Sequence, residues 1–209
     1  MSTTQTSSSH GKLIVAVIAA ALVVVLALVS AFIWPGWALN KGDEASTQGT
    51  TTSQGASQDA SEPTTPSIDA VALPDDASEL LKAMPDSVLN FARTKADAST
   101  SWSGASPVEE YTLTYSTGKD GQDITLKVAQ WSQSDDAQSQ YDNLTGAMTG
   151  KELGSGNVKV SGKTTGAYSA KADPGDDTKA VAVWRNDTVV FYATGAKNDI
   201  QRFYQQFPL

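Results

Sequence analysis

The feature that most limits what this chain can become is an unbroken apolar stretch, from Leu13 to Trp34, reading LIVAVIAAALVVVLALVSAFIW. Ser30 is the only polar side chain among its 22 residues. At ~1.5 Å rise per residue such a helix reaches roughly 33 Å, enough to cross a hydrocarbon core about 30 Å thick. A helix also pairs its backbone amides within itself, which lipid demands. Trp34 and Trp37 stand at the C-terminal end, where indole rings favour the membrane interface, and Pro35-Gly36 stops the helix. A core helix of a soluble domain would be shorter and would keep a polar side. The expectation is a transmembrane helix with the lipid bilayer as its partner.

Val29-Ser30-Ala31 resembles a signal-peptide cleavage site, yet the apolar run exceeds the ~7–15 residues usual in such peptides, and Lys12 is the only basic residue ahead of it. The reading is a retained signal-anchor. Lys12 and Lys41 nearly balance across the span, so orientation follows from the flanks. Residues 1–12, MSTTQTSSSHGK, make a short disordered tail expected in the cytoplasm. The remainder is expected outside the cell membrane.

Lys12 and Lys41 precede Asp43, and every acidic residue lies at or after Asp43. Residues 43–209 therefore hold 13 basic and 23 acidic side chains, net −10. That balance argues against nucleic acid as a partner. Cysteine is absent, which removes disulfides, thiolate metal sites and thiol nucleophiles. The single histidine, His10, is in the tail, so the soluble part has no imidazole for triad or zinc chemistry. No catalytic residue, cofactor site or metal site is assigned.

Residues 38–74 are rich in Ser, Thr, Gln, Gly and Pro and hold few large apolar side chains. They cannot bury enough surface to offset their ordering entropy and read as a flexible linker. Residues 75–209 read as one folded domain. Asp76 to Met84 is a short helix stopped before Pro85. Residues 87–98 make a strand. In 110–117, Tyr111, Leu113 and Tyr115 alternate with Thr112, Thr114 and Ser116; in 123–131, Ile124, Leu126 and Val128 alternate with Thr125, Lys127 and Ala129. Period two marks strands, with a hairpin at Gly118 to Gly121 between them. Residues 134–148 switch to helical spacing with a stripe of Ala137, Tyr141, Leu144 and Met148. A glycine-rich loop follows at 150–156. Strands are expected near 158–161, 166–170, 180–185 and 188–194, with a tight turn at Asn186-Asp187. A last helix over 198–207 presents Ile200, Phe203, Tyr204 and Phe207.

The pattern β-β-β-α-β-β-β-β-α predicts an α+β domain: an antiparallel sheet of about seven strands with two or three helices on one face. Residues 136–144 also echo residues 199–207, each following a strand pair, which suggests two duplicated halves.

Among polar clusters, Asp135-Asp136 suits a helix N-terminus. The segment from Asp173 to Asp177, DPGDD, is either turn chemistry or an oxygen-rich loop for a cation. Trp131, Trp184, Trp102 and Tyr168 are the candidate ligand or partner surface, because aromatic side chains near strand ends suit a glycan or peptide groove. The layout of tail, anchor, linker and small outer domain resembles envelope proteins of high-GC Gram-positive bacteria. It implies a place at the cell envelope and no residue's role. The functional expectation is a non-catalytic binding domain for another envelope protein or a cell-wall component. The alternatives are a carboxylate-based glycan hydrolase and an accessory subunit of a membrane complex.

Overall fold

Residues 62–208 are described by a computed structural model of the chain. The tail, the apolar stretch and the linker up to residue 61 lie outside the described residues. Among those described, no helix is long and apolar enough to cross a membrane.

The alternating stretches become strands. They are β1 (Ser87–Val88), β2 (Phe91–Ala98), β3 (Glu109–Ser116), β4 (Ile124–Gln130), β5 (Glu152–Val160), β6 (Lys163–Ala172), β7 (Lys179–Asn186) and β8 (Val189–Ala196). The helices are α1 (Glu79–Ala83), α2 (Ser134–Ala147) and α3 (Lys197–Gln206). One sheet contains all eight strands in the order β1-β2-β3-β4-β8-β7-β6-β5. Every neighbouring pair is antiparallel. The α+β expectation holds.

Three details differ from the sequence reading. The predicted strand over 87–98 is two strands, because Leu89 turns with φ 53° and Val88 pairs back onto Phe91. The predicted loop over 150–156 passes into β5 at Glu152. Its glycines are there for packing: a Cβ on Gly156 would lie 2.8 Å from Cε1 of Tyr168. The helices do not share one face. Ile200 and Phe203 of α3, and Phe207 just after it, join Leu113, Ile124, Leu126, Ala182 and Phe191 in one apolar cluster. Ala137 and Tyr141 of α2 join Ala129, Trp131, Val183 and Val190 in another. Residues 182 and 183, or 190 and 191, point to opposite sides of a strand, so α2 and α3 cover opposite faces. The two halves meet where β4 and β8 run antiparallel. A two-fold relation there would put both helices on one side, so their placement opposes the suggested duplication.

The described chain is packed onto the domain from residue 62, inside the predicted linker. Arg202 on α3 pairs with Glu62 (Nε to Oε2, 2.6 Å). Ser67 Oγ donates to the Thr117 carbonyl, and the Val71 amide to the Arg93 carbonyl. Arg93 is the hub of this edge. Its side chain is 2% exposed. Nη1 donates to the carbonyls of Met84 and Pro85, both at 3.0 Å, and Nη2 donates to Val71 O at 3.1 Å and Asp86 Oδ1 at 2.7 Å.

Tyr115 is buried beside it and donates to the Pro85 carbonyl at 2.8 Å. Burial raises this phenol well above its ordinary value of 10.0, opposed in part by the Arg93 charge. The folded state therefore holds the proton more tightly than the unfolded state does. The resulting stability is complete below the unfolded value and is lost as pH rises beyond it, at ~1.4 kcal/mol per pH unit for one phenol. Urea midpoints are expected to fall between about pH 9 and pH 11, and to fall less steeply in Tyr115→Phe. Equal slopes in both proteins would show that Tyr115 ionises as freely folded as unfolded.

Candidate functional site

On the α2 face the sheet is only half covered. The outer part presents polar side chains: Lys95 pairs with Asp97 at 2.9 Å, and Thr112 lies opposite Asp97 across the β2–β3 pair. Where covered and open parts meet, a cleft of about 360 Å³ opens beside α2. That is at the small end of ligand pockets.

Its floor comes from four adjacent strands: Lys127 on β4, Tyr192 on β8, Val181 on β7 and Lys171 on β6. Lys127 and Tyr192 are direct cross-strand partners, as are Val181 and Lys171. One wall is the C-terminal end of α2, where Leu144, Ala147 and Met148 line the cleft. The sequence stripe already contained Leu144 and Met148. The helix ends against the sheet because Gly150 lets the backbones touch: a Cβ there would fall 1.7 Å from the Ala172 carbonyl oxygen. Any larger residue must move the loop.

Trp102 forms the other wall. It sits on the loop before β3 and is fixed from below. Its ring stacks on Trp131 at 6.3 Å between centroids and meets Tyr192 edge-on at 6.4 Å. Glu110 is 6% exposed; Oε2 accepts the Trp102 amide at 2.9 Å and Oε1 accepts Ser99 Oγ at 2.7 Å. Trp131 Nε1 donates to the Ala105 carbonyl at 2.7 Å and ties down the short turn Ser103–Ala105. Sequence reasoning missed Glu110: a buried carboxylate inside an alternating strand gives no local sign that it will clasp a loop. Glu110→Ala is expected to lose about 1–3 kcal/mol by leaving the partly buried Trp102 amide unpaired. It should also raise collisional quenching of Trp102 fluorescence, read against Trp102→Phe. An unchanged quenching constant would show that the loop is held by aromatic packing alone.

The four aromatic candidates divide between the faces. Trp102 and Trp131 belong to the cleft, with Trp131 as its 2% exposed support. Trp184 is 3% exposed on the opposite face, stacked on Phe191 at 4.9 Å. Tyr168 lies on that face too, against Tyr204 at 5.6 Å. The structure therefore does not bring the four into one groove.

Charge in the cleft is uneven. Lys171 Nζ donates to the Met148 carbonyl at 2.8 Å, which suits the negative end of a helix dipole. Asp173 Oδ1 accepts the amides of Gly175 (2.8 Å) and Asp176 (3.1 Å), and Asp176 Oδ1 accepts both the amide and hydroxyl of Thr178. These carboxylates are taken up by their own turn. Among the described residues, no three His, Asp or Glu side chains converge as a metal site would require. Burial, then the charge of Asp173, raises the Tyr192 phenol above its ordinary value. Lys127 is half-buried and makes no hydrogen bond or ion pair among the described residues.

A second, wider depression of about 610 Å³ is polar and lined by Glu62, Asp177, Lys197 and Asp199 among others. Burial raises the Asp199 carboxyl, with Arg202 acting in the opposite direction.

No protein-family model and no curated protein matches the sequence. Among solved structures, the crystal structure of a GTP-binding regulator from Thermotoga maritima aligns over 56% of this chain and 78% of its own, with 9% identity and a TM-score of 0.36.

Proposed function

We propose that this chain is a single-pass membrane protein carrying a non-catalytic binding domain on the outer side of the cell envelope. In this reading the cleft beside α2 is where the domain takes its ligand. The carrying observation is the cleft: about 360 Å³, walled by Trp102 and the end of α2, with Lys127, unpaired among the described residues, on its floor. Asp173 is the one carboxylate among its lining residues. Hydrolysis of a glycosidic bond ordinarily uses two facing carboxylates, so the cleft suits binding better than that chemistry. The apolar stretch from Leu13 to Trp34 and the polar linker support the placement, since together they tether a domain close to a bilayer.

The absence of cysteine gives a clean test of topology. Thr149→Cys, at the exposed rim of the cleft, is expected to react with a membrane-impermeant maleimide in intact cells. Ser9→Cys, in the tail, is expected to react only after lysis. The reverse order of labelling would overturn the proposed orientation.

A further inference from the structure

The cleft differs electrostatically from the acidic domain around it. Residues 43–209 carry a net charge of −10. The charged groups lining the cleft are Lys127, Lys171 and Asp173. Lys171 is engaged by the Met148 carbonyl and Asp173 by its own turn, which leaves Lys127. Its neighbours across the sheet, Thr112 on β3 and Tyr192 on β8, offer it no negative charge. Of the acidic side chains near it on this face, Glu110 on β3, diagonal to Lys127, is taken up by the Trp102 amide and Ser99 Oγ, and Asp97 on β2 is paired with Lys95. Lys127 is half-buried as a residue, and its ammonium, without a partner among the described residues, can donate a charge-assisted hydrogen bond to a fixed anion.

The walls add a second requirement. Trp102 and Tyr192 meet edge-on and form an aromatic corner beside Lys127, and Leu144 and Met148 close the opposite side. Flat apolar groups pack well in such a corner. Asp173 follows β6, three strands across from β4, and makes that end unfavourable for an anion.

We infer that the cleft binds a small organic anion with a flat apolar body. Its carboxylate, sulfonate or phosphate lies on Lys127 and its body lies between Trp102, Tyr192 and the end of α2. Glu110 and Trp131 act as positioning residues that hold the Trp102 wall. This inference deepens the binding reading above and rests on the same cleft.

The test uses the full chain in phosphatidylcholine nanodiscs, labelled with 5-fluorotryptophan and followed by fluorine NMR. The probes are naphthalene-2-sulfonate and its uncharged counterpart naphthalene-2-methanol. The Trp102 resonance, assigned with Trp102→Phe, is expected to shift saturably with the sulfonate, while that of Trp184 on the opposite face stays in place. Lys127→Gln is expected to weaken sulfonate binding about tenfold, the scale of one lost hydrogen bond to a charged group. It should change the affinity for the uncharged probe less than twofold. Equal binding of both probes, insensitive to Lys127→Gln, would overturn the anionic class and leave the cleft standing. A Trp102 resonance that responds to neither probe would overturn the cleft as a ligand site, and this inference with it. Unchanged Trp131 and Trp184 positions in unliganded Lys127→Gln would show that the variant is folded.

Discussion

Arg93→Met is expected to cost about 3 kcal/mol or more of folding stability, among the largest losses from any single polar substitution in the domain. The guanidinium is buried and gathers the carbonyls of Val71, Met84 and Pro85. Removing it leaves these acceptors short of a donor where water enters poorly, and buried acceptors without partners are costly. Lysine should recover only part of the loss, because one ammonium cannot reproduce a planar fork that serves several acceptors. Asp86 touches the same fork but its side chain is 81% exposed, so Asp86→Ala should stay within about 1 kcal/mol. Chemical denaturation followed by tryptophan fluorescence checks all three. A loss below about 1 kcal/mol in Arg93→Met would mean the carbonyls are served by water and the 62–74 segment is not held by this residue.

Phe203→Ala is expected to cost about 3–5 kcal/mol, the range for emptying a buried aromatic site. Its ring is 0% exposed and packs edge-on against Tyr115 at 5.1 Å and Phe91 at 6.0 Å. The more informative measurement pairs it with Tyr141→Ala on α2. The two side chains belong to separate clusters on opposite sides of the sheet. Their effects should therefore add to within about 0.5 kcal/mol. Coupling of about 1 kcal/mol or more would place both helices against a shared core, which is the one-face arrangement the sequence suggested.

Why that arrangement was misread has a physical answer. The alternation in β3 and β4 is clean, apolar on one side and Thr or Lys on the other, and it correctly gave the α3 face of the core. Strands β7 and β8 do not alternate in this way. AVAVW and VVFYA are continuous apolar runs, the pattern of strands buried on both faces. Read for that, they would have required a helix on each side. The glycines at 154 and 156 read as loop residues because sequence shows their freedom and hides their use, which is to leave room for the Tyr204 hydroxyl at Gly154 and for the ring of Tyr168 at Gly156. The cleft was legible only in fragments. Trp102 and Trp131 stand out in the sequence, but the partner that makes the corner is Tyr192, and the charge unpaired among the described residues is Lys127. Both sit at ordinary strand positions. Only the β4–β8 pairing, 65 residues apart in the chain, sets them side by side. Glu110 was hidden for the same reason, since its two acceptor bonds go to a loop whose path sequence does not give.

The most direct measurement of binding in this cleft is ligand capture with the cleft open and with it filled. Ala147 is the exposed last residue of α2 and lines the cleft, so Ala147→Trp should fill the opening without touching the core. The full chain and this variant would each be dialysed to equilibrium against a small-molecule extract of the cells that make the protein, and the retained compounds compared by mass spectrometry. At least one anionic compound with an aromatic or other flat apolar body is expected, enriched by the native chain and not by Ala147→Trp. Identical retained sets from the two proteins, with the variant folded, would contradict the claim that this cleft is where the domain binds.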